Sequence, residues 1–235
     1  MKRLKDILPE QIYLTFLNKY KDLTNGHARK FYSQEGEDII LLREFESENK
    51  GFYVDVGAYH PKRFSNTYLF YKKGWNGINI DARPGSMKKF NKTRPRDINL
   101  EIPISDKKEF LLFYTFNEPA VSGFLEDLSL ERAKKDGYKI VRSEKMETKT
   151  LEEIFDKYLP TNKFINFLSI DVEGFDFKVL KSNNWNKYRP KVVLFEAIGD
   201  TIIDLLKSDS FLFMKDKGYV PFAKTVNTIF YKLID

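Results

Sequence analysis

The chain contains no cysteine. Disulfides, thiolate metal sites and a cysteine nucleophile are therefore excluded. That is compatible with a reducing cytoplasm, the compartment expected for it. No apolar run approaches the ~18 residues of a membrane-spanning helix. There is no internal repeat, no low-complexity tract and no Pro/Gly/Ser-rich linker. The N-terminus starts basic, but Asp6, Pro9 and Glu10 interrupt it and no small-residue cleavage site follows. It does not read as a signal peptide.

What is present is a folding composition: 42% hydrophobic and 15% aromatic residues, with 21 Phe and 13 Tyr. A length of 235 residues suits one domain with a full core. The net charge of +6 comes from 40 Lys+Arg against 34 Asp+Glu, with the signs mixed along most of the chain. The nearest thing to a basic block is 83–96, RPGSMKKFNKTRPR. It can attract an anionic partner or simply face water, and the second is the plainer reading.

Hydrophobic periodicity divides the chain into elements. Residues 10–23 place Ile12, Phe16, Tyr20 and Leu23 at helical spacing, predicting a docked helix in an N-terminal extension, 1–31. A membrane-surface helix is the alternative. Residues 34–47 read as a helix with Ile39, Leu42 and Phe45 inward, and 52–58 as a buried strand. A helix with Phe64, Tyr68 and Tyr71 on one face follows and stops at Gly74. Strands at 77–82, 99–105 and 109–116 are expected, with a helix at 84–93. Residues 125–137 are an amphipathic helix, 139–150 extended, and 151–159 a helix capped by Thr150. Apolar strands at 164–174 and 191–199 and a closing hairpin at 218–235 complete the domain, 32–235. Buried strands alternating with helices predict an α/β, Rossmann-like fold. Such sheets bind ligands at the carboxyl ends of their strands.

Acids cluster at those ends. Asp55-Val56-Gly57-Ala58-Tyr59 closes the first strand, and Gly57 permits a tight turn. There is one glycine where a G-x-G-x-x-G phosphate loop has three, so a nucleoside without phosphates is expected. Asp81 closes the second strand, where an acid can accept both ribose hydroxyls; a turn aspartate is the plainer role. Ser105-Asp106 closes the third and can meet an adenine amino group or form a turn. Asp171 and Glu173 close the very apolar strand LSI, and Glu196 closes VVLFE. If those two strands are neighbours, about 4.8 Å apart, the three carboxylates converge. Such a set can hold Mg or another divalent cation, with Asp171 and Glu196 as ligands, or act as a general base. His60 is a second candidate base, since imidazole titrates near neutrality; packing in the YHP turn is its simpler role.

These residues resemble the FkbM-type S-adenosylmethionine-dependent methyltransferases. The likeness runs from about Tyr32 to the C-terminus, through SQEGED (33–38), FYVDVGA (52–58), GWNGINIDARP (74–84), RPRDINLEIPIS (94–105), TLEEIF (150–155), INFLSIDVEGFDFKVL (165–180) and VVLFE (192–196). It implies a class I methyltransferase fold with a mostly parallel seven-stranded sheet and a C-terminal antiparallel hairpin. It places the methionine part of S-adenosylmethionine at Asp55, Gly57 and Ala58, beside Tyr59. The ribose falls at Asp81 and Ala82, and the adenine near Ser105 and Asp106. Asp171, Val172 and Glu173 face the cofactor or the reacting oxygen. Many members continue G-A-N-x-G where this chain has G-A-Y-H-P.

The resemblance implies methylation of a hydroxyl on a sugar or glycan precursor, phosphorylated or nucleotide-linked forms included. Asp171, Glu173 and His60 are the expected catalytic residues, and 117–124 an expected lid. The alternative is a metal-dependent glycosyltransferase using a nucleotide-sugar, although the chain has no D-x-D. A nucleic-acid methyltransferase is disfavoured by the missing basic–aromatic stripe. A non-catalytic binding module is a further alternative. The oligomeric state stays open.

Overall fold

The structure is a computed structural model that describes residues 7–24, 26–197, 199 and 201–234. The basic start at 1–6 and Ile198 of the expected 191–199 strand lie outside those residues. The chain divides into two compact units, Met1–Phe31 and Tyr32–Asp235. In the first, helix α1 (Glu10–Leu23) forms as its spacing predicts, with none of its residues buried.

The second unit runs α2 (Glu37–Glu44), β1 (Phe52–Val56), α3 (Tyr68–Lys72), β2 (Asn76–Asp81), α4 (Met87–Thr93), β3 (Ile98–Glu101), β4 (Phe110–Phe116), α5 (Glu126–Ala133), β5 (Ile140–Glu147) and α6 (Leu151–Tyr158). It continues with β6 (Phe167–Ile170), α7 (Asp176–Lys181), β7 (Val192–Glu196), α8 (Ile202–Leu205), α9 (Asp209–Asp216), β8 (Tyr219–Lys224) and β9 (Thr228–Leu233). Seven strands form one sheet in the order β3-β2-β1-β6-β7-β9-β8. The first five are parallel, and β9 runs antiparallel to both β7 and β8. The strand order reverses between β1 and β6, so the loops leaving these two strands open a crevice at their carboxyl ends.

Strand period two sorts the side chains. Phe52, Val54 and Val56 of β1 join Leu168, Ile170, Val193 and Phe195 in one buried cluster with Leu151, Ile154 and Phe155 of α6 and Val179 and Leu180 of α7. Tyr53, Phe167, Val192 and Leu194 point the other way, onto Leu41, Phe45, Phe70 and Trp75. Both faces are covered, which is why these strands read as continuous apolar runs. Thr150 caps α6 through a complete capping box with Glu153.

Three expectations shift. The inward face of α2 carries Glu37, Asp38 and Leu41, followed by Phe45, rather than Ile39 and Leu42. Asp38 draws its turn inward by accepting from Tyr32 N at 2.8 Å and Ser33 Oγ at 2.8 Å. Phe64 is not helical: its φ is 55°, and the helix begins four residues later, at Tyr68. Strand β4 stays out of the main sheet and pairs with β5 alone in a two-stranded antiparallel ribbon.

Beneath the β1–α3 loop lies an arginine with no solvent exposure, Arg94. Its Nε donates to Asp97 at 2.7 Å, one terminal nitrogen to Thr67 Oγ1 at 3.0 Å and the other to the Tyr53 hydroxyl at 2.8 Å. Asp97 also accepts from Tyr53, from Gly77 N and from Asn79. Buried charge is tolerated here because the guanidinium and carboxylate are paired and surrounded by further partners.

Candidate active site

A cleft lies at the carboxyl ends of β1, β2 and β6, lined on the sheet side by Gly57, Tyr59, Asp81, Ala82, Asp171, Val172 and Glu173. Its other wall comes from the β4–β5 ribbon and the segment after β4: Phe113, Pro119, Ala120, Ser122, Gly123 and Phe124. The space between them is about 450 Å³, including the part open to solvent. Residues 117–124 thus form part of the roof of the cleft.

The floor is shaped by backbone. Gly57 N and Ala58 N both donate to Ile80 O, at 2.9 and 3.0 Å, so this turn presents no run of free amides to a phosphate. Asp81 accepts from Tyr59 N at 2.9 Å and from Arg83 N at 2.8 Å, one bond on each oxygen. Each oxygen keeps a lone pair for a further donor, which suits a vicinal diol. Burial, the largest influence, raises its pKa despite those bonds. Val172, Phe113 and Phe124 give the same cleft apolar walls. A phosphate-free nucleoside fits this donor and acceptor set.

Tyr59 occupies the position where a glycine would relieve strain. Its φ is 45°, in the left-handed region that costs a non-glycine residue ~1 kcal/mol or more. Its carbonyl accepts from Arg83 at 3.1 Å and its hydroxyl donates to Glu118 at 3.3 Å, tying the β1 turn to the roof. Glu173, at φ 55°, is the second strained residue in the cleft. The adjoining Gly174 is in the same region at φ 88°, and a Cβ there would stand 2.7 Å from Leu125 Cδ1. An ion pair joins Glu173 to Arg132 of α5, and Arg132 also donates to Val121 O at 3.0 Å. Phe113, Phe124 and Phe175 stack across the same junction, at 4.9 and 5.7 Å.

Strands β6 and β7 are neighbours, so Asp171 and Glu196 do come together. They line a second, polar hollow with Gln34, Glu35, Glu37, Phe64, Asn66, Asn227 and Thr228. Asp171 belongs to both cavities and is their shared wall. Burial, reinforced by Glu196 and Glu173, holds the Asp171 carboxyl well above its ordinary pKa. Burial, with Glu173 and Asp176 nearby, pushes Glu196 up to about 8. Asp176, buried beside Asp171, is pushed to about 7. Near neutral pH these acids share protons, because neighbouring buried charges of one sign cannot all ionise.

Other expected residues lie elsewhere. Asp55 is on the Tyr53 face of β1, accepts from Thr67 Oγ1 at 2.8 Å and does not line the cleft. Burial raises its pKa to about 6 against the pull of Arg94. Ala58 is buried beneath the turn with Met87 and Phe90. Ser105 has no exposure and its hydroxyl turns to Asp106 and Glu109, while Asp106 pairs with Lys181 at 3.6 Å. Neither lines the cleft. His60 Nδ1 accepts from Lys62 N and Arg63 N, both at 3.1 Å, closing the turn before Pro61's successors. His60 lines neither cavity. Among the described residues no group of three or more His, Asp or Glu is placed to hold a metal. Glu173 is turned to Arg132, so the expected Asp171–Glu196 ligand pair has no third protein carboxylate, and no step is derived through a cation. Among the described residues no helix is long and apolar enough to cross a membrane.

Sequence reasoning missed Arg132, Phe113 and the polar hollow. Their contacts join segments far apart in the chain, which no local pattern reports.

A family model, the methyltransferase FkbM domain, matches residues 55–221. No curated protein matches the chain. Among solved structures, a proposed RNA methyltransferase from Pyrococcus horikoshii aligns at 10% identity and a TM-score of 0.42, over 84% of this chain and 82% of that one. A TehB-like SAM-dependent methyltransferase from Corynebacterium glutamicum aligns at 10% identity and 0.40, over 96% and 100%. Neither alignment bears on the substrate, and none of these findings supports a glycosyltransferase. The match to more than half of the chain decides the matter: it belongs to the FkbM family of S-adenosylmethionine-dependent methyltransferases.

Proposed function

We propose that the protein methylates a hydroxyl group on a sugar or glycan precursor. The observation that carries this reading is the pairing of Asp171 and Glu196 on adjacent strands at the edge of the cleft, with both carboxyls holding their protons more tightly than usual. Hydroxyls are weak nucleophiles at neutral pH, and a base must take the proton as the new bond forms. A carboxylate whose pKa is raised toward the working pH is a better base than an ordinary one.

S-adenosylmethionine, when bound, supplies a methyl group already activated on a sulfonium. Asp81 would accept the ribose hydroxyls, while Gly57 lets the ligand approach the backbone. Val172 and the roof aromatics would exclude water. Asp171 would face both the methyl group and the acceptor, and would take the proton with Glu196 sharing the charge. Glu173 then acts as a positioning residue that latches the roof through Arg132, in place of the base role expected for it. Tying the acceptor oxygen in line behind the methyl group is chiefly a matter of positioning.

The test is an incubation with S-adenosylmethionine and a panel of hydroxylated acceptors, including glycosides, sugar phosphates and nucleotide-sugars, with and without Mg²⁺ or EDTA. Release of S-adenosylhomocysteine with an O-methyl product supports the reading, and Asp171→Asn should abolish turnover while still binding S-adenosylhomocysteine. Methyl transfer confined to nitrogen acceptors, or full turnover by Asp171→Asn, would sink it. Loss of activity in EDTA restored by Mg²⁺ would revive the cation at Asp171 and Glu196.

A further inference from the structure

Asp171 has a cavity on each side, and the family match accounts for one of them. The second is bounded by α2's approach, the β1–α3 loop, the ends of β6 and β7 and the β8–β9 turn: Gln34, Glu35, Phe64, Asn66, Glu196 and Asn227. With its open mouth it spans about 390 Å³. We propose that this hollow is the acceptor subsite and that it takes an uncharged, polyhydroxylated ring, with the phosphate of any phosphorylated or nucleotide-linked acceptor left outside it. The proposal rests on the hydroxyl-methylating reading above and adds the chemical class of the group that enters.

The lining decides the class. Gln34, Asn66 and Asn227 carry amides that both donate and accept, and Thr228 adds a hydroxyl. Glu35, Glu37, Asp171 and Glu196 offer acceptor oxygens. A sugar hydroxyl donates one bond and accepts others, so a ring bearing several is matched by this mixture. A phosphate would bring negative charge against four carboxyl groups and meet no arginine or lysine in the lining. The amides are also held in place. Asn66 donates to Ser169 Oγ at 3.0 Å, and Asn227 donates from its backbone to Glu35 at 2.8 Å and from its side chain at 2.5 Å.

Phe64 supplies the apolar element. It keeps 43% of its surface exposed and holds φ at 55°, where a phenylalanine is strained. Neither its burial nor its backbone explains an aromatic ring at that position. A sugar presents C–H groups on the face of its ring, and an exposed aromatic at the mouth of a polar hollow provides a surface for that face. Arg63 packs 4.5 Å over the Phe64 ring and sits outside the lining. It marks where an acceptor's phosphate could go without entering.

With the ring seated there, one of its hydroxyls reaches the Asp171 wall. Its oxygen forms the new C–O bond to the methyl carbon as the C–S bond breaks. The electron pair of that bond returns to sulfur, and the hydroxyl proton passes to the Asp171–Glu196 pair. Atoms and charge balance, with a neutral thioether and a protonated carboxyl as products.

The experiment is saturation-transfer-difference NMR on protein saturated with S-adenosylhomocysteine. The probes are methyl glucoside, galactoside, mannoside, fucoside and rhamnoside, with glucose 1-phosphate, inorganic phosphate and glucosamine as comparison arms. At least one neutral glycoside should show ring-proton transfer. That signal should fall at least fivefold in Gln34→Ala and in Phe64→Gly. Gln34 is exposed, so its variant will fold, and Phe64→Gly relieves a strained φ, so its Tm should not drop by more than a degree or two. Both variants should bind S-adenosylhomocysteine within twofold of wild type by calorimetry. No transfer to any neutral glycoside, stronger transfer to phosphate or glucosamine than to the neutral rings, or signals unchanged in both variants would each overturn the proposal. If the cofactor product itself fails to bind, the methyltransferase reading falls instead, so the two failures are separable.

Discussion

Gly57 lies against the Asp171 backbone so closely that a Cβ on it would stand 1.7 Å from the Asp171 carbonyl oxygen. The β1 turn and the β6 end, which together make the cleft floor, are in contact only because this side chain is absent. Gly57 also holds φ at 85°. Gly57→Ala should therefore cost at least ~2 kcal/mol, a fall in Tm of roughly 4–8 °C for a chain of this size. Binding of S-adenosylhomocysteine should be lost with it. Calorimetry and a thermal melt check both, and a variant that melts like wild type would contradict the close approach.

Asp81 should account for much of the cofactor affinity. Hydrogen bonds to a charged group contribute ~1.5–3 kcal/mol each, so Asp81→Ala should weaken S-adenosylhomocysteine binding by roughly 10–100-fold. Titration calorimetry gives the answer directly. Unchanged affinity would move the ribose elsewhere.

The raised carboxyls predict opposite pH trends for stability and activity. Glu196 has a folded pKa of about 8 against an ordinary value of 4.5, so the folded state holds a proton that the unfolded state releases. Stability is then greatest below the ordinary value and declines as pH rises toward 8. The Tm of the ligand-free protein should fall between pH 5 and 9, and Glu196→Gln should flatten that fall. Methyl transfer needs the base unprotonated, so kcat/KM should climb over the upper part of the same range. Melting curves and rate profiles across the pH range test the pair; a Tm that rises with pH would refute the proton-sharing arrangement.

Arg94 should be irreplaceable. Deleting one partner of a buried ion pair costs ~3–5 kcal/mol, and lysine cannot reproduce a fork that reaches Asp97, Thr67 and Tyr53 at once. Both Arg94→Ala and Arg94→Lys should lower Tm by roughly 6–20 °C. A lysine variant within 2 °C of wild type would show that the geometry of the fork is unimportant.

Arg132 should govern how firmly the roof closes. Arg132→Ala removes the ion pair to Glu173 and the bond to Val121 O. Amide exchange in residues 110–147 should quicken, and the KM for S-adenosylmethionine should rise about three- to tenfold, with little change in Tm. Exchange rates equal to wild type would mean the aromatic stack alone holds the roof.

The order of elements was legible because it is written locally. β1, β6 and β7 are apolar over their whole length, and Thr150 with Glu153 marks a helix start that formed as expected. The strand-end acids were legible too, through Asp81, Asp171 and Glu196. What failed was direction. Asp55 sits one residue from Val56, and period two turns it to the opposite face, toward Thr67. His60 read as a free imidazole, yet its ring nitrogen is engaged by two amides two and three residues on. Ser105 and Asp106 found partners, Glu109 and Lys181, that only the tertiary fold supplies. The polar hollow assembles residues from 34 to 228, a separation no periodicity spans.

The ribbon formed by β4 and β5 leaves the main body and returns to it through a single doorway: Ser105 N–H donates to Lys149 O at 2.9 Å, and Lys149 N–H to Pro103 O at 3.0 Å. Because its two ends are already stitched together, excising what lies between them would demand little extra loop closure. Chassis and roof are thus separable parts. Exchange of the roof could redirect which molecules gain entry while the machinery beneath stays untouched, so selectivity in this architecture has a place where it can drift without endangering the fold.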